Sequence, residues 1–217
     1  MSEIRSRVSL HVGKAGNIPA EIVTFKEFKE GNEHIAVIFK RADLEQDAPL
    51  VRIHSECLTG DVFHSSRCDC GDQLDETIER MAENGGIILY MRQEGRGIGL
   101  YNKLDAYVLQ SEGMNTYQAN KALGFGEDLR QYGDAVHMLK ALNVSSLQLV
   151  TNNPRKIKAV AAEFNLVSDQ RTGTFIKKDN LGYLQTKSAH GQHMLCKHDL
   201  TDDTAQDQDI ATERAAS

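Results

Sequence analysis

The chain places three of its four cysteines in one short segment. The stretch HSECLTGDVFHSSRCDCG contains Cys57, Cys68 and Cys70, whereas the fourth, Cys196, lies far along the chain. Thiolates are good zinc ligands, and a catalytic zinc keeps about three protein ligands and one position for water. The count and the crowding therefore predict a metal site with an open position.

Two other interpretations fit the same cysteines. A structural zinc site would be completed by a fourth ligand, for which His54, His64 and Cys196 are candidates. The cluster could also be incidental, because C-x10-C-x-C is not one of the common zinc-finger spacings. The spacing by itself leaves these alternatives open.

Length and composition indicate an ordinary globular protein. The 217 residues are 40% hydrophobic and 26% charged, which is typical of soluble domains. No apolar run reaches the roughly 18 residues of a membrane span, and the first residues contain no apolar signal-peptide core. We therefore expect a cytoplasmic protein without a membrane partner, in a compartment where clustered thiols bind metals rather than form disulfides.

The negative charge is concentrated at the end of the chain. The segment 199–217 carries a net charge of −5 out of a total of −6, so the preceding residues are nearly neutral. A body without a basic stripe argues against nucleic acid as a partner, although a single nucleotide needs only a few local cations. We predict a catalytic domain over 1–198 and an acidic, disordered tail over 199–217.

Hydrophobic patterns predict an α/β fold. Strands are expected at 21–28, 34–42, 49–55, 86–91 and 145–150, and helices after the cysteines, after the Gly-rich QEGRGIG, near 128–142 and from Pro154. This order predicts a single domain in which helices are layered on a mixed β-sheet. In the helix after QEGRGIG, Ile98, Tyr101, Leu104 and Val108 share one apolar face.

The helix that begins at Pro154 has an unusual first turn. Asn153 and Pro154 are typical of a helix start, but Arg155 and Lys156 follow immediately. Positive charge at this end opposes the helix dipole, and a bound anion would reverse the sign of that interaction. The pattern favours a phosphate near these residues.

Several motifs together identify a family. RIHSECLTGD, RCDCG, RQEGRGIGL, TNNPRK and YLQTK resemble GTP cyclohydrolase II, the enzyme that opens the guanine ring of GTP as the first step of riboflavin biosynthesis. The resemblance covers most of residues 20–195 and follows the order of the family motifs. It implies Zn²⁺ on Cys57, Cys68 and Cys70, Mg²⁺ with the triphosphate, and a cytosolic homodimer. The implied products are formate, diphosphate and a diaminopyrimidinone ribosyl phosphate.

The resemblance also implies a set of GTP-binding residues. Guanine presents two N–H donors that a carboxylate or amide can accept, and Gln73 and Glu94 both have suitable side chains. Taken alone, the Gly-rich loop is as compatible with a tight turn as with a phosphate site. The implied residues are Arg52, Ile53, His54, Ser55, Glu56, Gln73, Glu94, Gly95, Arg96, Thr116, Thr151 and Lys156.

Three further residues are implied to act in catalysis. Tyr107 would orient the attacking water or donate to it, although its place beside an apolar stripe also fits a core tyrosine. Asp128 would be a proton acceptor and Arg130 a nucleophile toward the α-phosphorus. Because a guanidinium stays protonated and is a poor nucleophile, electrostatic clamping of the phosphate is equally compatible. Asp128 could also simply cap a helix.

The leading hypothesis is therefore a zinc-dependent hydrolase that opens the guanine ring of GTP. One alternative stops after the first hydrolysis and keeps the formyl group on a formamidopyrimidine product. Another is a zinc-stapled nucleotide-binding module without turnover.

Overall fold

Seven strands form one mixed sheet in the computed structural model, which describes residues 3–26, 28, 31–40, 47–126, 128–189 and 194. The spatial order is β1-β2-β3-β5-β4-β6-β7. Antiparallel pairing joins β1 to β2, β2 to β3 and β3 to β5, whereas β5, β4, β6 and β7 run parallel. The strands are β1 (Ile4–Val12), β2 (Ile18–Phe25), β3 (Ile35–Phe39), β4 (Leu50–Ser55), β5 (Gly86–Met91), β6 (Ser146–Val150) and β7 (Asn165–Gln170).

Helices cover both faces of this sheet. Side chains alternate across a strand, so Ile87, Leu89 and Met91 of β5 pack with α5 and α6, while Ile88 packs with Met81 of α2. No helix among the described residues is long and apolar enough to cross a membrane. The helices are α1 (Leu58–Asp61), α2 (Cys70–Asn84), α3 (Leu100–Ser111), α4 (Thr116–Ala122), α5 (Gly133–Ala141), α6 (Pro154–Ala161) and α7 (Leu181–Ala189).

The predicted α/β class with a mixed sheet is confirmed. Strand β5 has the predicted bounds, and α6 begins at Pro154 with Asn153 as its N-cap, as expected. Sequence patterns did not predict the two edge strands, β1 and β7, because neither has a continuous buried face: β1 is mostly exposed and β7 alternates between exposed and half-buried residues. The prediction of a helix from 128 was wrong at its start, since α5 begins at Gly133.

The apolar stripe of α3 faces outward rather than into the core. Tyr101, Leu104 and Val108 are 81%, 41% and 60% exposed, whereas Lys103 and Ala106 on the opposite side are buried. Of the four residues on the predicted apolar face, only Ile98, which precedes α3, is buried, at 8% exposed. The helix instead turns its polar side toward the cysteine cluster, which it helps to enclose.

Part of the predicted organisation lies outside the described residues. The acidic segment 199–217 and Cys196 both fall there. The predicted division into a catalytic domain and a tail stays a prediction.

The parallel part of the sheet explains where the predicted site residues meet. Strands β5, β4 and β6 are adjacent and parallel, so their carboxyl ends lie at one edge, where ligands bind in open α/β sheets. Cys57 follows β4, Glu94 follows β5 and Thr151 follows β6. Residues from distant parts of the sequence are thereby brought to a common edge.

A buried histidine joins this edge to α5. His34 is 2% exposed; its Nδ1 accepts a hydrogen bond from the backbone N–H of Arg92 (3.0 Å), and its Nε2 lies 3.1 Å from Asp134 Oδ2. Acceptance at Nδ1 requires the tautomer with its proton on Nε2, which then donates to Asp134. Burial lowers the pKa of His34 more than the Asp134 carboxylate raises it.

Because the pKa of His34 is lowered in the folded protein, we expect the protein to lose stability in mild acid. Its pKa in the folded protein lies below the unfolded value of about 6.5, so its contribution is complete above that value and is lost as pH falls through the folded pKa. We expect the free energy of unfolding, measured with urea between pH 7.5 and 5, to fall more steeply in the wild type than in His34→Gln. The difference in slope should reach up to about 1.4 kcal/mol per pH unit, and equal slopes would contradict this role of His34.

Candidate active site

The three predicted sulfur ligands converge. The Sγ atoms of Cys57, Cys68 and Cys70 all lie within 4.8 Å of one another, and those of Cys57 and Cys68 are 3.6 Å apart. Tetrahedral zinc with bonds near 2.3 Å requires sulfur atoms about 3.8 Å apart. Within the described part of the chain no histidine or carboxylate joins this group, so the donor set fits a soft divalent metal with a position left over.

The proposed fourth ligands do not complete the site. His54 Nε2 lies 3.1 Å from Asp61 Oδ1, and neither ring nitrogen of His54 belongs to the cluster of potential ligand atoms. His64 does not belong to the cluster of potential ligand atoms. Cys196 lies outside the described residues. The structure thus favours the open, three-thiolate interpretation over a closed one that uses either histidine.

Two glycines allow the sulfurs to approach. A Cβ atom on Gly60 would lie 2.8 Å from Cys68 Sγ and 3.1 Å from Cys57 Sγ. A Cβ on Gly71 would lie 2.2 Å from the carbonyl oxygen of Gly60. Helix α1 can therefore pack directly against the start of α2, and this contact brings Cys57 to the two cysteines at the other end of the loop.

Electrostatics favour one thiolate, at Cys57, and two protonated thiols in the cluster. Hydrogen bonds from the Cys68 and Cys70 thiols, assisted by the charge of Lys103, hold the pKa of Cys57 far below its usual range despite burial. Because Cys57 accepts these protons as a thiolate, the pKa of Cys68 is raised to about 11 and that of Cys70 is also raised. A metal ion would replace the shared protons, which is how thiolate sites couple metal binding to proton release.

Lys103 is a buried cation beside this cluster that sequence reasoning missed. Its Nζ donates to Cys57 Sγ (3.1 Å), Thr59 Oγ1 (3.0 Å) and Glu94 Oε1 (2.8 Å). Burial alone would lower its pKa, but the negative charges of Cys57 and Glu94 and the neighbouring Tyr107 raise it well above the ordinary value. The signal in the sequence was its position one helical turn before Tyr107, which places both residues on the same face of α3.

Tyr107 belongs to the site and not to the apolar core. It lines the same cavity as the three cysteines, and Lys103 Nζ lies 5.6 Å from the centre of its ring. Burial raises the pKa of Tyr107 more than the nearby Lys103 lowers it. The phenol is therefore protonated at neutral pH and available as a hydrogen-bond donor.

One cavity collects most of the residues that the sequence implied. Beside the cysteines and Tyr107, twelve of its lining residues belong to the predicted set. The side chain of Ile53 is fully buried in the core instead, and Asp128 does not line the cavity. The twelve are Arg52, His54, Ser55, Glu56, Gln73, Glu94, Gly95, Arg96, Thr116, Arg130, Thr151 and Lys156.

Several residues that line this cavity carry a buried polar atom without a hydrogen-bond partner among the described residues. These atoms include Arg52 Nε, His54 Nδ1, Ser55 Oγ and Asn120 Nδ2. Leaving such an atom unpaired costs about 1–3 kcal/mol, so folded proteins keep several of them together only where something else binds. The cavity is therefore built for a polar ligand.

The cavity also carries a cationic cluster. Arg130 donates to Asp128 from Nε (2.9 Å) and Nη2 (2.8 Å), and Arg155 Nη1 lies 2.8 Å from the same carboxylate. Lys156 is buried and donates to the carbonyl oxygen of Ile53 (2.6 Å). Two arginines for one aspartate leave excess positive charge beside a helix N-terminus, as an anion site requires.

Asp128 and Arg130 hold each other in their charged forms. Burial alone would raise the pKa of Asp128, but the hydrogen bonds and charge of Arg130, with those of Arg155, lower it below the ordinary value. The pKa of Arg130 is raised, since Tyr132 and Asp128 outweigh the effect of burial. Asp128 does not cap a helix, because α5 begins five residues later.

The Gly-rich loop adopts a conformation that few residues tolerate. Gly95 and Arg96 both have left-handed backbones, with φ of 62° and 63°. For a non-glycine residue such as Arg96 this costs about 1–2 kcal/mol. The strained turn directs the guanidinium of Arg96 over the ring of Tyr117, 4.7 Å from its centre, and strain of this kind is concentrated at functional sites.

Comparison with known proteins identifies the family. A profile described as GTP cyclohydrolase II matches residues 5–169. The chain belongs to the GTP cyclohydrolase II family. It is 60% identical over 196 residues to "GTP cyclohydrolase-2" of Vibrio parahaemolyticus, which covers 90% of this chain and 99% of that protein. The protein of the same name from Vibrio cholerae gives the same figures, and that of Shewanella halifaxensis is 48% identical over 186 residues, covering 84% and 88%. The predicted family and enzyme class are confirmed.

Several further residues of this GTP cyclohydrolase II family member line the cavity without having been predicted. Asn120 comes from α4, and Thr172 and Tyr183 come from the last third of the chain. No spacing in the sequence connects them with the cysteines, because only the folded chain brings these segments together. The complete set is Gln93, Ile98, Lys103, Ala106, Gln110, Asn120, Asn152, Asn153, Thr172 and Tyr183.

The packing of α1 predicts that Gly60 is essential for metal binding. In Gly60→Ala the new methyl group would lie 2.8 Å from Cys68 Sγ, so the sulfurs must move apart. We expect the zinc content after dialysis, measured by mass spectrometry of the metal, to fall well below that of the wild type. Gly133→Ala is the matched control, since nothing lies within 4 Å of its added atom; normal zinc content in Gly60→Ala would contradict the predicted packing.

Proposed function

We propose that the chain hydrolyses GTP, opening the imidazole ring of guanine and releasing formate and diphosphate in the first step of riboflavin biosynthesis. The main support for this proposal is that one cavity is lined by the three converging cysteines, by the cations Arg130 and Lys156, and by residues with unpaired polar atoms. The family relationship supplies the substrate, since the relatives are named GTP cyclohydrolase-2.

We propose that Cys57, Cys68 and Cys70 hold zinc. When bound in a three-ligand site, zinc acts as a Lewis acid and makes water nucleophilic at neutral pH. The protonated phenol of Tyr107 lines the same cavity and would orient the attacking water or donate a hydrogen bond to it. Water addition at C8 and a second hydrolysis of the resulting formamide would then account for formate.

The unpaired atoms at the end of β4 support nucleotide binding. Arg52 and His54 line the cavity, are 5% and 3% exposed, and each carries a buried polar atom without a partner among the described residues. Gln73 and Glu94, the candidates for reading guanine, already have both of their polar atoms hydrogen bonded within the protein. Recognition by either would therefore use the second lone pair of an oxygen that already accepts one bond.

The triphosphate is proposed to lie against Arg130, Lys156 and the strained loop at Arg96. The two carboxylates that line the cavity are committed elsewhere, Glu56 to Arg92 (2.8 Å) and Glu94 to Lys103 (2.8 Å). Mg²⁺ would accordingly be held chiefly by phosphate oxygens and water. Because Arg130 is locked in a two-bond ion pair with Asp128, we propose that it clamps the α-phosphate rather than attacks it.

We also propose a cytoplasmic homodimer, as the resemblance implies. The exposed apolar side chains of Tyr101, Leu104 and Val108 on α3 support an assembly in which this face is covered.

Product analysis tests the reaction. Purified protein with zinc, Mg²⁺ and GTP should release formate and diphosphate in equal amounts. In Cys57→Ser we expect a folded protein with neither product, because the metal position is lost; Cys196→Ser, which changes the one cysteine outside the segment 54–71 of the sequence, should stay active. Binding of GTP without turnover would support the binding-module alternative, and diphosphate without formate would support the formamidopyrimidine alternative.

Substitution of Arg130 distinguishes its two possible roles, electrostatic clamping of the α-phosphate and nucleophilic attack on it. A clamp needs positive charge, so Arg130→Gln should lower kcat by about 10²–10³-fold, while Arg130→Lys should retain clearly more activity. Intact-protein mass spectrometry of a quenched reaction should show no nucleotidyl adduct. An adduct in the wild type, with both variants equally inactive, would instead establish covalent catalysis.

A further inference from the structure

Lys103 makes contacts that a merely structural lysine does not need. Its side chain is on the buried face of α3, 8% exposed, and its ammonium group donates to Cys57 Sγ, Thr59 Oγ1 and Glu94 Oε1 at 2.8–3.1 Å. An ammonium has three hydrogens and no acceptor. Every donor is therefore used, and one of them is aimed at a predicted metal ligand.

Glu94 fixes the direction of this ammonium group. Its Oε1 accepts from Lys103 and from the backbone N–H of Gly95 (2.9 Å), and its Oε2 accepts from the backbone N–H of Leu58 (2.6 Å). The carboxylate thus joins α3, the Gly-rich loop and the residue that follows Cys57. Because both ends of the ion pair are anchored, the position of the cation relative to the sulfur is set by the fold.

The charge of the site gives this cation a chemical consequence. The three negative charges of the thiolates would exceed the two positive charges of a divalent ion, which leaves a net charge of −1. The carboxylate of Glu94 adds one more negative charge nearby. Electron-rich thiolates weaken a metal as a Lewis acid, and outer hydrogen bonds to the ligands adjust this strength. A cation that donates to the Cys57 sulfur draws electron density away from the metal and offsets part of the negative charge.

We propose that Lys103 is a positioning residue that tunes the metal through the Cys57 sulfur and thereby maintains its power to activate water. This inference rests on the proposed zinc-dependent function. Lys103 itself does not need to contact GTP. The same ammonium lies 5.6 Å from the ring centre of Tyr107, so a single cation acts on both the sulfur ligand and the predicted proton donor.

The test replaces the lysine and measures the effect on the metal–sulfur bond by absorption spectroscopy. Lys103→Met keeps the length of the side chain and removes the charge. It leaves the Glu94 carboxylate buried without its cation, which could unfold the protein. The double variant Lys103→Met/Glu94→Gln removes that carboxylate as well. With Co²⁺ as the probe metal, the sulfur-to-cobalt charge-transfer band should move to longer wavelength in both variants, because an electron leaves a less stabilised sulfur more easily. For Lys103→Met we expect kcat to fall about 10–100-fold with KM for GTP nearly unchanged.

Controls distinguish this role from a packing role. Lys121→Met removes an exposed lysine from α4 and should change neither the band nor kcat, while Lys103→Arg should recover part of both. An unmoved band in folded Lys103→Met protein, with only a lower melting temperature, would overturn the proposal. A wild type that binds no metal or releases no formate from GTP would contradict the proposed function itself. If the wild type is active but the charge-transfer band has the same wavelength in Lys103→Met, only the tuning role of Lys103 is rejected.

Discussion

The structure depends on holding three sulfur atoms together in a buried place. Anions this close repel strongly at low dielectric, so the cluster requires positive charge or shared protons. The fold supplies both: Lys103 donates to Cys57, and the other two thiols do the same when no metal is bound. A divalent cation would be the natural replacement for those protons, and the three cysteines that would hold it line the cavity.

Close packing of glycines makes this convergence geometrically possible. Gly60 and Gly71 let α1 and the start of α2 approach to a distance that no side chain would permit. The strand before Cys57 is fully buried in the sheet, so one ligand is anchored to the most rigid part of the protein. The other two ligands are carried by the first turn of a long helix and the residue pair before it. The positions of the three sulfur atoms are therefore fixed by elements that pack in the core.

Charge is distributed within the cavity according to the chemistry it is proposed to perform. The sulfurs, Tyr107 and Lys103 form one group, while Arg130, Arg155 and Lys156 provide positive charge for phosphates. Carboxylates occur in both groups, but Glu94 and Asp128 each hold cations in place and neither is free to act as a simple base. This favours electrostatic stabilisation over covalent chemistry at the phosphate end.

The sequence by itself determined the α/β class, the cluster of three cysteines, the start of α6 and most of the cavity lining, because each rests on residue types in a local pattern or on motifs in a fixed order. The orientation of α3 and the parts played by Lys103 and Asn120 were decided only by tertiary structure. An apolar stripe predicts burial only if the core, rather than another surface, lies opposite it, and in α3 the polar side faces the sulfurs. A buried lysine is recognisable only when its partners, here from the segment after β4, from α1 and from the loop after β5, have been brought to the same edge by the parallel strands.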